Sequence, residues 1–228
     1  MRSNLPATPL QEVRIPCGAA WLHGDLALPG EFIGVVLFAH GSGSGRHSAR
    51  NRQVARRLQE SGVATLLFDL LTAQEDEVDV RTREHRFDIA KLTRRMEDAA
   101  AWAVLQPALK GMPLGFFGAS TGSAAALIAA AQLGNRVSAV VSRGGRPDLA
   151  GPAVLAAVTA PTLLIVGGDD PEVARLNTQA LEQLQCPKRL AVVPGAGHMF
   201  EEPGALEAVG DLAAAWFSRH LLRTEHLA

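Results

Sequence analysis

The five residues Gly118-Ala119-Ser120-Thr121-Gly122 constrain this chain more than any other stretch, because of what stands on either side of them. The apolar run Pro113-Leu114-Gly115-Phe116-Phe117 precedes them, and Ser123-Ala124-Ala125-Ala126-Leu127-Ile128-Ala129-Ala130-Ala131 follows. This reads as a buried strand entering a strong helix former. A serine on so tight a strand-to-helix turn needs small residues two before and two after it, since the two backbones approach closely there. Gly118 and Gly122 meet that need. The turn leaves the Ser120 hydroxyl projecting from the carboxyl end of a sheet, above the free N–H groups of a helix N-terminus. Such a serine is placed to attack an acyl carbon. A glycine- and serine-rich helix cap without chemistry is the plainer alternative, and partner residues decide between the two.

The rest of the chain alternates strands with helices. Glu12–Pro16 and Ala20–Leu28 show partial apolar/polar alternation around Cys17-Gly18, the pattern of an antiparallel hairpin at a sheet edge. Ile33–Ala39, Val63–Asp69, Val137–Ser142, Thr162–Val166 and Leu190–Val193 read as further strands, with helical spacing in between, notably over Phe87–Leu105 and Val173–Leu184. The acidic residues Glu75, Asp76, Glu77 and Asp79 read as a solvated loop. Repeated strand–helix alternation implies a mostly parallel, doubly wound α/β sheet, and 228 residues suit a single domain over 1–228.

In such a sheet, ligands bind outside the carboxyl ends of the strands. Reactive residue types gather at four of those ends: His40-Gly41-Ser42, Ser120, Asp169-Asp170 and His198. A serine hydroxyl is a weak nucleophile near neutral pH and needs a base with a pKa near 7, the role given to His198. A carboxylate on Nδ1 would fix the tautomer and stabilise the imidazolium. Asp169 and Asp170 both qualify, although adjacent turn residues point in different directions. The N–H of Thr121 and one from the early glycine loop, Ser42 first, are the candidate oxyanion donors. His40, in that loop, reads as a brace and not as the base, and His47 and His85 read as solvated or structural. Three arginines, Arg46, Arg143 and Arg146, lie in loops at the same edge and could pair with a substrate carboxylate or phosphate.

Composition excludes several classes. A net charge of −1 gives no electrostatic case for nucleic acid or an acidic membrane surface. The loop Gly41–Arg46 carries neither G-x-G-x-x-G nor a Gly-Lys-Ser/Thr, so nucleotide binding is disfavoured and no cofactor is expected. Cys17 and Cys186 form no metal-ligand spacing and read as free thiols; no metal site is expected. With no apolar leader and no membrane-length span, a cytoplasmic location is the expectation.

Together these residues resemble the α/β-hydrolase superfamily, and within it the dienelactone hydrolase-like group. The resemblance runs from the first buried strand onward. It is carried by His40-Gly41-Ser42-Gly43-Ser44 into Arg46-His47-Ser48, by Gly118–Gly122, by Gly167-Gly168-Asp169-Asp170-Pro171 and by Gly197-His198-Met199-Phe200-Glu201. It implies an α/β-hydrolase fold with the catalytic order serine, aspartate, histidine, and it places the acid at Asp170. Dienelactone hydrolases proper use a cysteine where this chain has Ser120, which moves the expectation from dienelactone toward oxygen esters. Superfamily members acting on lipid commonly insert a helical lid after the strand that follows the elbow helix. Between Ser142 and Pro161 there is room for one short helix only. The expected activity is hydrolysis of small soluble carboxylic esters or lactones, acidic ones if the arginines serve the substrate. The alternatives are a silent hydrolase-fold binding protein and an acyltransferase or perhydrolase using the same residues. Oligomeric state is not legible in the sequence.

Overall fold

A computed structural model describes residues 8–221. The chain opens with β1 (Leu10–Cys17) and β2 (Ala20–Ala27), an antiparallel hairpin in which Cys17 pairs with Ala20 and Gly18, at φ +65°, makes the turn. Then come β3 (Val35–Ala39), α1 (Ala49–Glu60), β4 (Ala64–Phe68), α2 (Ala73–Thr82), α3 (Ile89–Leu105), β5 (Leu114–Ala119) and α4 (Thr121–Leu133). The last third holds β6 (Ala139–Arg143), α5 (Pro152–Ala157), β7 (Thr162–Gly167), α6 (Pro171–Gln183), β8 (Lys188–Val193) and α7 (Ala205–His220).

The eight strands form one sheet in the order β1-β2-β4-β3-β5-β6-β7-β8, parallel from β4 to β8 and antiparallel at the hairpin. This is the expected α/β-hydrolase architecture. Strands β3 to β7 are buried along their whole length because helices cover both faces, and continuous apolar runs follow from that. On one face, α1 and α7 pack Val54, Leu58, Val209 and Phe217 against Val36, Phe38 and Phe117. On the other, α3, α4, α5 and α6 pack Leu92, Met96, Leu127, Leu155 and Ala180 against Leu37, Leu66 and Phe116. Each fully buried side chain of this size stabilises the fold by about 1.5–3 kcal/mol, so the sheet is a stiff base for the loops at its carboxyl edge.

One sequence expectation is corrected. The acidic run is not a solvated loop but α2, opened by a capping box in which Thr72 Oγ1 accepts from the Glu75 amide and the Thr72 amide donates to Glu75 Oε2. Asp79, 1% exposed, accepts from the His85 and Arg86 amides at 2.8 and 2.9 Å and from Arg86 Nε at 2.6 Å. Burial pushes this carboxyl up, but those hydrogen bonds outweigh it and hold it below the usual carboxylate range. Partners just past the helix end, His85 and Arg86, pin the charge run as a helix. Between β6 and β7 lie only a 3₁₀ turn (Pro147–Ala150) and the six-residue α5, so no large lid stands there. No helix among the described residues is long and apolar enough to cross a membrane.

Candidate active site

Ser120 sits between β5 and α4 at φ +49°, ψ −123°, a region that costs a side-chain-bearing residue about 1–3 kcal/mol. Three donors hold it there: the Ser123 amide at 3.1 Å, Ser123 Oγ at 2.7 Å and the Arg146 amide at 3.2 Å all reach the Ser120 carbonyl. The flanking glycines are required by contact. A Cβ on Gly118 would stand 2.4 Å from Ser123 Cα, and one on Gly122 would stand 2.4 Å from the carbonyl oxygens of Ala39 and His40. The elbow is therefore clamped between β3 and the start of α4.

His198 follows β8. Its Nδ1 lies 2.7 Å from Asp170 Oδ2, across 28 residues of sequence. Asp170 also caps α6, accepting from the Val173 amide at 3.4 Å, which fixes the direction its second oxygen faces. Asp169 is exposed, and only its backbone is engaged, its amide donating to the Ala196 carbonyl. The two adjacent carboxylates thus point apart, and the one that meets His198 is Asp170. Its hydrogen bond leaves Nε2 as the ring nitrogen free for other chemistry.

The loop after β3 supports the elbow from the other side. His40 is buried; its Nε2 accepts from the Leu70 amide at 2.9 Å, so its Nδ1 carries the proton and donates to the Gly41 carbonyl at 2.9 Å. Burial pushes the His40 imidazolium down, keeping the ring neutral. It braces the loop. A Cβ on Gly41 would stand 3.2 Å from Ser120 Cβ, so Ser42 follows directly beside Ser120. Ser42 and Ser120 line the same cleft of about 250 Å³, together with Ser48, Asn51, Arg143 and His198. Thr121 opens α4, where its amide belongs to the first, unpaired turn.

The three arginines do not converge. Arg46 is held by carboxylates: Asp69 at 2.8 Å, Glu12 at 3.1 Å and Asp25 at 3.4 Å. It staples β1, β2 and β4 to the loop before α1. Arg146 makes a bidentate pair with Asp148 at 2.9 and 2.8 Å, and that hydrogen bonding raises its pKa. Arg143 alone lines the cleft, 8% exposed. Sequence reasoning missed Arg50, Asn51 and Ser48, which line it from the first turn of α1. The available signal was an arginine and a buried asparagine in a helix start without an acidic residue. His47 is exposed beside Arg52, and His85 lies near Lys91 and Glu84. Cys17 and Cys186 are buried free thiols. No three metal-ligating side chains gather among the described residues.

A family model described as an alpha/beta hydrolase domain matches residues 33–211, which include every site residue above. The chain belongs to the α/β-hydrolase family. Among solved structures, this α/β-hydrolase is similar to a dienelactone hydrolase from Anabaena variabilis, 54% identical with a TM-score of 0.92, covering 95% of this chain and all of that one. It shares its fold with Est1E from Butyrivibrio proteoclasticus, 17% identical with a TM-score of 0.77 over 92% of this chain and 98% of that one. A curated relative from Mycobacterium tuberculosis, named "Putative phosphoribosyl transferase", is 53% identical over 211 residues, 92% of this chain and 46% of the relative. The chain spans about half the length of the curated relatives it matches.

Proposed function

We propose that this α/β-hydrolase is a serine esterase that cleaves small soluble carboxylic esters or lactones through an acyl-enzyme on Ser120. The observation that carries the reading is the 2.7 Å contact between His198 Nδ1 and Asp170, on a histidine that lines one cleft with a conformationally strained serine. In the proposed cycle, Ser120 Oγ bonds to the acyl carbon as its proton passes to His198 Nε2, while Asp170 stabilises the imidazolium on the far nitrogen. The amides of Thr121 and Ser42 receive the oxyanion. Its collapse breaks the bond to the alcohol, which leaves with the proton from His198; water then repeats the sequence and frees the acid. The open cleft and the short β6–β7 connection favour small soluble substrates over lipid aggregates.

Hydrolysis of p-nitrophenyl esters of increasing acyl length, alongside labelling by a fluorophosphonate, tests this. The expected result is activity that falls with chain length, stoichiometric labelling, and a loss of at least about 10⁴-fold in kcat for Ser120→Ala. A folded wild type that neither turns over nor labels would overturn the proposal.

A further inference from the structure

Arg143 is a buried cation without a counter-ion. Its guanidinium carbon lies 5.8 Å from the centre of the Phe200 ring, and its Nη2 reaches Asn51 Oδ1 only at 3.5 Å. Its Nε is buried with no hydrogen-bond partner, and no ion pair holds it among the described residues. The charge that acts on it is another cation, Arg50. Burial, and then that like charge, lower its pKa to about 10, so it stays charged at neutral pH against both penalties. A buried, uncompensated charge is costly to a fold, and an anion in the cleft would offset that cost.

The surroundings favour an anion on every side. Arg143 and Arg50 line the cleft with Ser120 and His198. The first turn of α1, a helix of twelve residues, contributes the positive end of its dipole and no acidic side chain. Among the described residues, the carboxylate that pairs with either arginine is Glu201, whose Oε1 lies 3.1 Å from Arg50 Nη1. That contact is on the rim: the Glu201 side chain is 69% exposed, and such solvated pairs contribute little. Glu201 pairs with Arg50 and leaves Arg143 without a carboxylate.

We propose that Arg143, Arg50 and the first turn of α1 form a subsite for an anionic oxygen-acid group of the substrate, a carboxylate or a phosphate, with Glu201 as the counter-ion that the group displaces. Arg143 is then the residue that sets substrate specificity, from beside the nucleophile: its carbonyl accepts from the Ser120 amide at 3.2 Å. For turnover this rests on the esterase reading of the same cleft; for binding it does not.

Two readouts keep the claims separate. The first is kcat/KM for p-nitrophenyl esters of matched acyl length ending in a methyl, a carboxylate or a phosphonate, which also tells carboxylate from phosphate. Arg143→Met lowers the ratio of anionic to neutral ester by at least about 30-fold, mainly through KM, and Arg50→Met by less. Glu201→Gln raises it several-fold, because the competing carboxylate is gone. The second is calorimetric binding of glutarate and of inorganic phosphate to Ser120→Ala, repeated with Arg143→Met added. Binding that disappears with Arg143 supports the subsite even where no ester is turned over. Should Arg143→Met fail to fold, Glu201→Gln and Arg50→Met on the rim give the answer. Ratios unchanged in both rim variants, or no binding of either anion to folded Ser120→Ala, would overturn the proposal.

Discussion

Two regions of the carboxyl edge are built on opposite rules. In the loop after β3 the charges are matched: His40 is bonded on both ring nitrogens, and Arg46 faces three carboxylates, even though its Nε meets Asp25 only at ion-pair distance, 3.4 Å. Around β5, β6 and β8 the fold gathers strained and unmatched groups beside one cleft. Ser120 is held at positive φ, Arg143 is buried without an anion, and Thr121 Oγ1 and Ser142 Oγ are buried without partners. The difference teaches how to sort residues that look alike in sequence. A matched group contributes to stability; an unmatched, strained one is a cost kept for chemistry or recognition. Arg46 and Arg143, equivalent on paper, fall on opposite sides of that line.

The largest expected effect belongs to the strained region. Ser120→Gly removes the proposed nucleophile and the backbone strain together, so kcat is expected to fall by at least about 10⁴-fold while stability in urea rises by about 1 kcal/mol, the relief offset in part by glycine's entropy. A loss of stability in that variant would break the comparison. Asp170→Asn is expected to lower kcat by about 10³–10⁴-fold, as removal of a carboxylate partner does to a catalytic histidine, whereas Asp169→Asn changes kcat less than about threefold because its side chain faces solvent. Equal losses in steady-state assays would mean that the 2.7 Å contact to His198 carries no function.

In the matched region the signs reverse. Arg46→Met leaves Asp69 without a guanidinium and Asp25 with Arg52 in place of two arginines, and should cost about 2 kcal/mol in denaturant unfolding, with the anionic-to-neutral ester ratio unaltered. A shifted ratio at full stability would move Arg46 from frame to site. The smallest effect is read against pH. Burial lowers the His40 pKa in the folded state. The unfolded chain therefore binds the proton first, and the contribution of neutral His40, complete above about pH 6.5, declines as pH falls toward the folded value. His40→Gln should flatten the fall in melting temperature below about pH 6.5; an unchanged slope would show that the ring is not what titrates.

Much of this molecule was legible before any tertiary contact. The buried strands, the hairpin around Gly18, the elbow at Ser120 and the gathering of Ser120, His198 and the Asp169-Asp170 pair at strand ends follow from periodicity and from glycines at tight turns, which are local properties. What the sequence left open were choices among chemically equal candidates. Which aspartate meets His198, which arginine lacks a carboxylate, and whether Glu75–Asp79 is a loop or a helix with Asp79 buried are settled by partners between 6 and 34 residues away, or by none. Periodicity reports how a segment meets the core. Charge pairing depends on which segments the sheet order makes neighbours, and β2 beside β4 or α1 beside β6 is decided only when the whole chain closes.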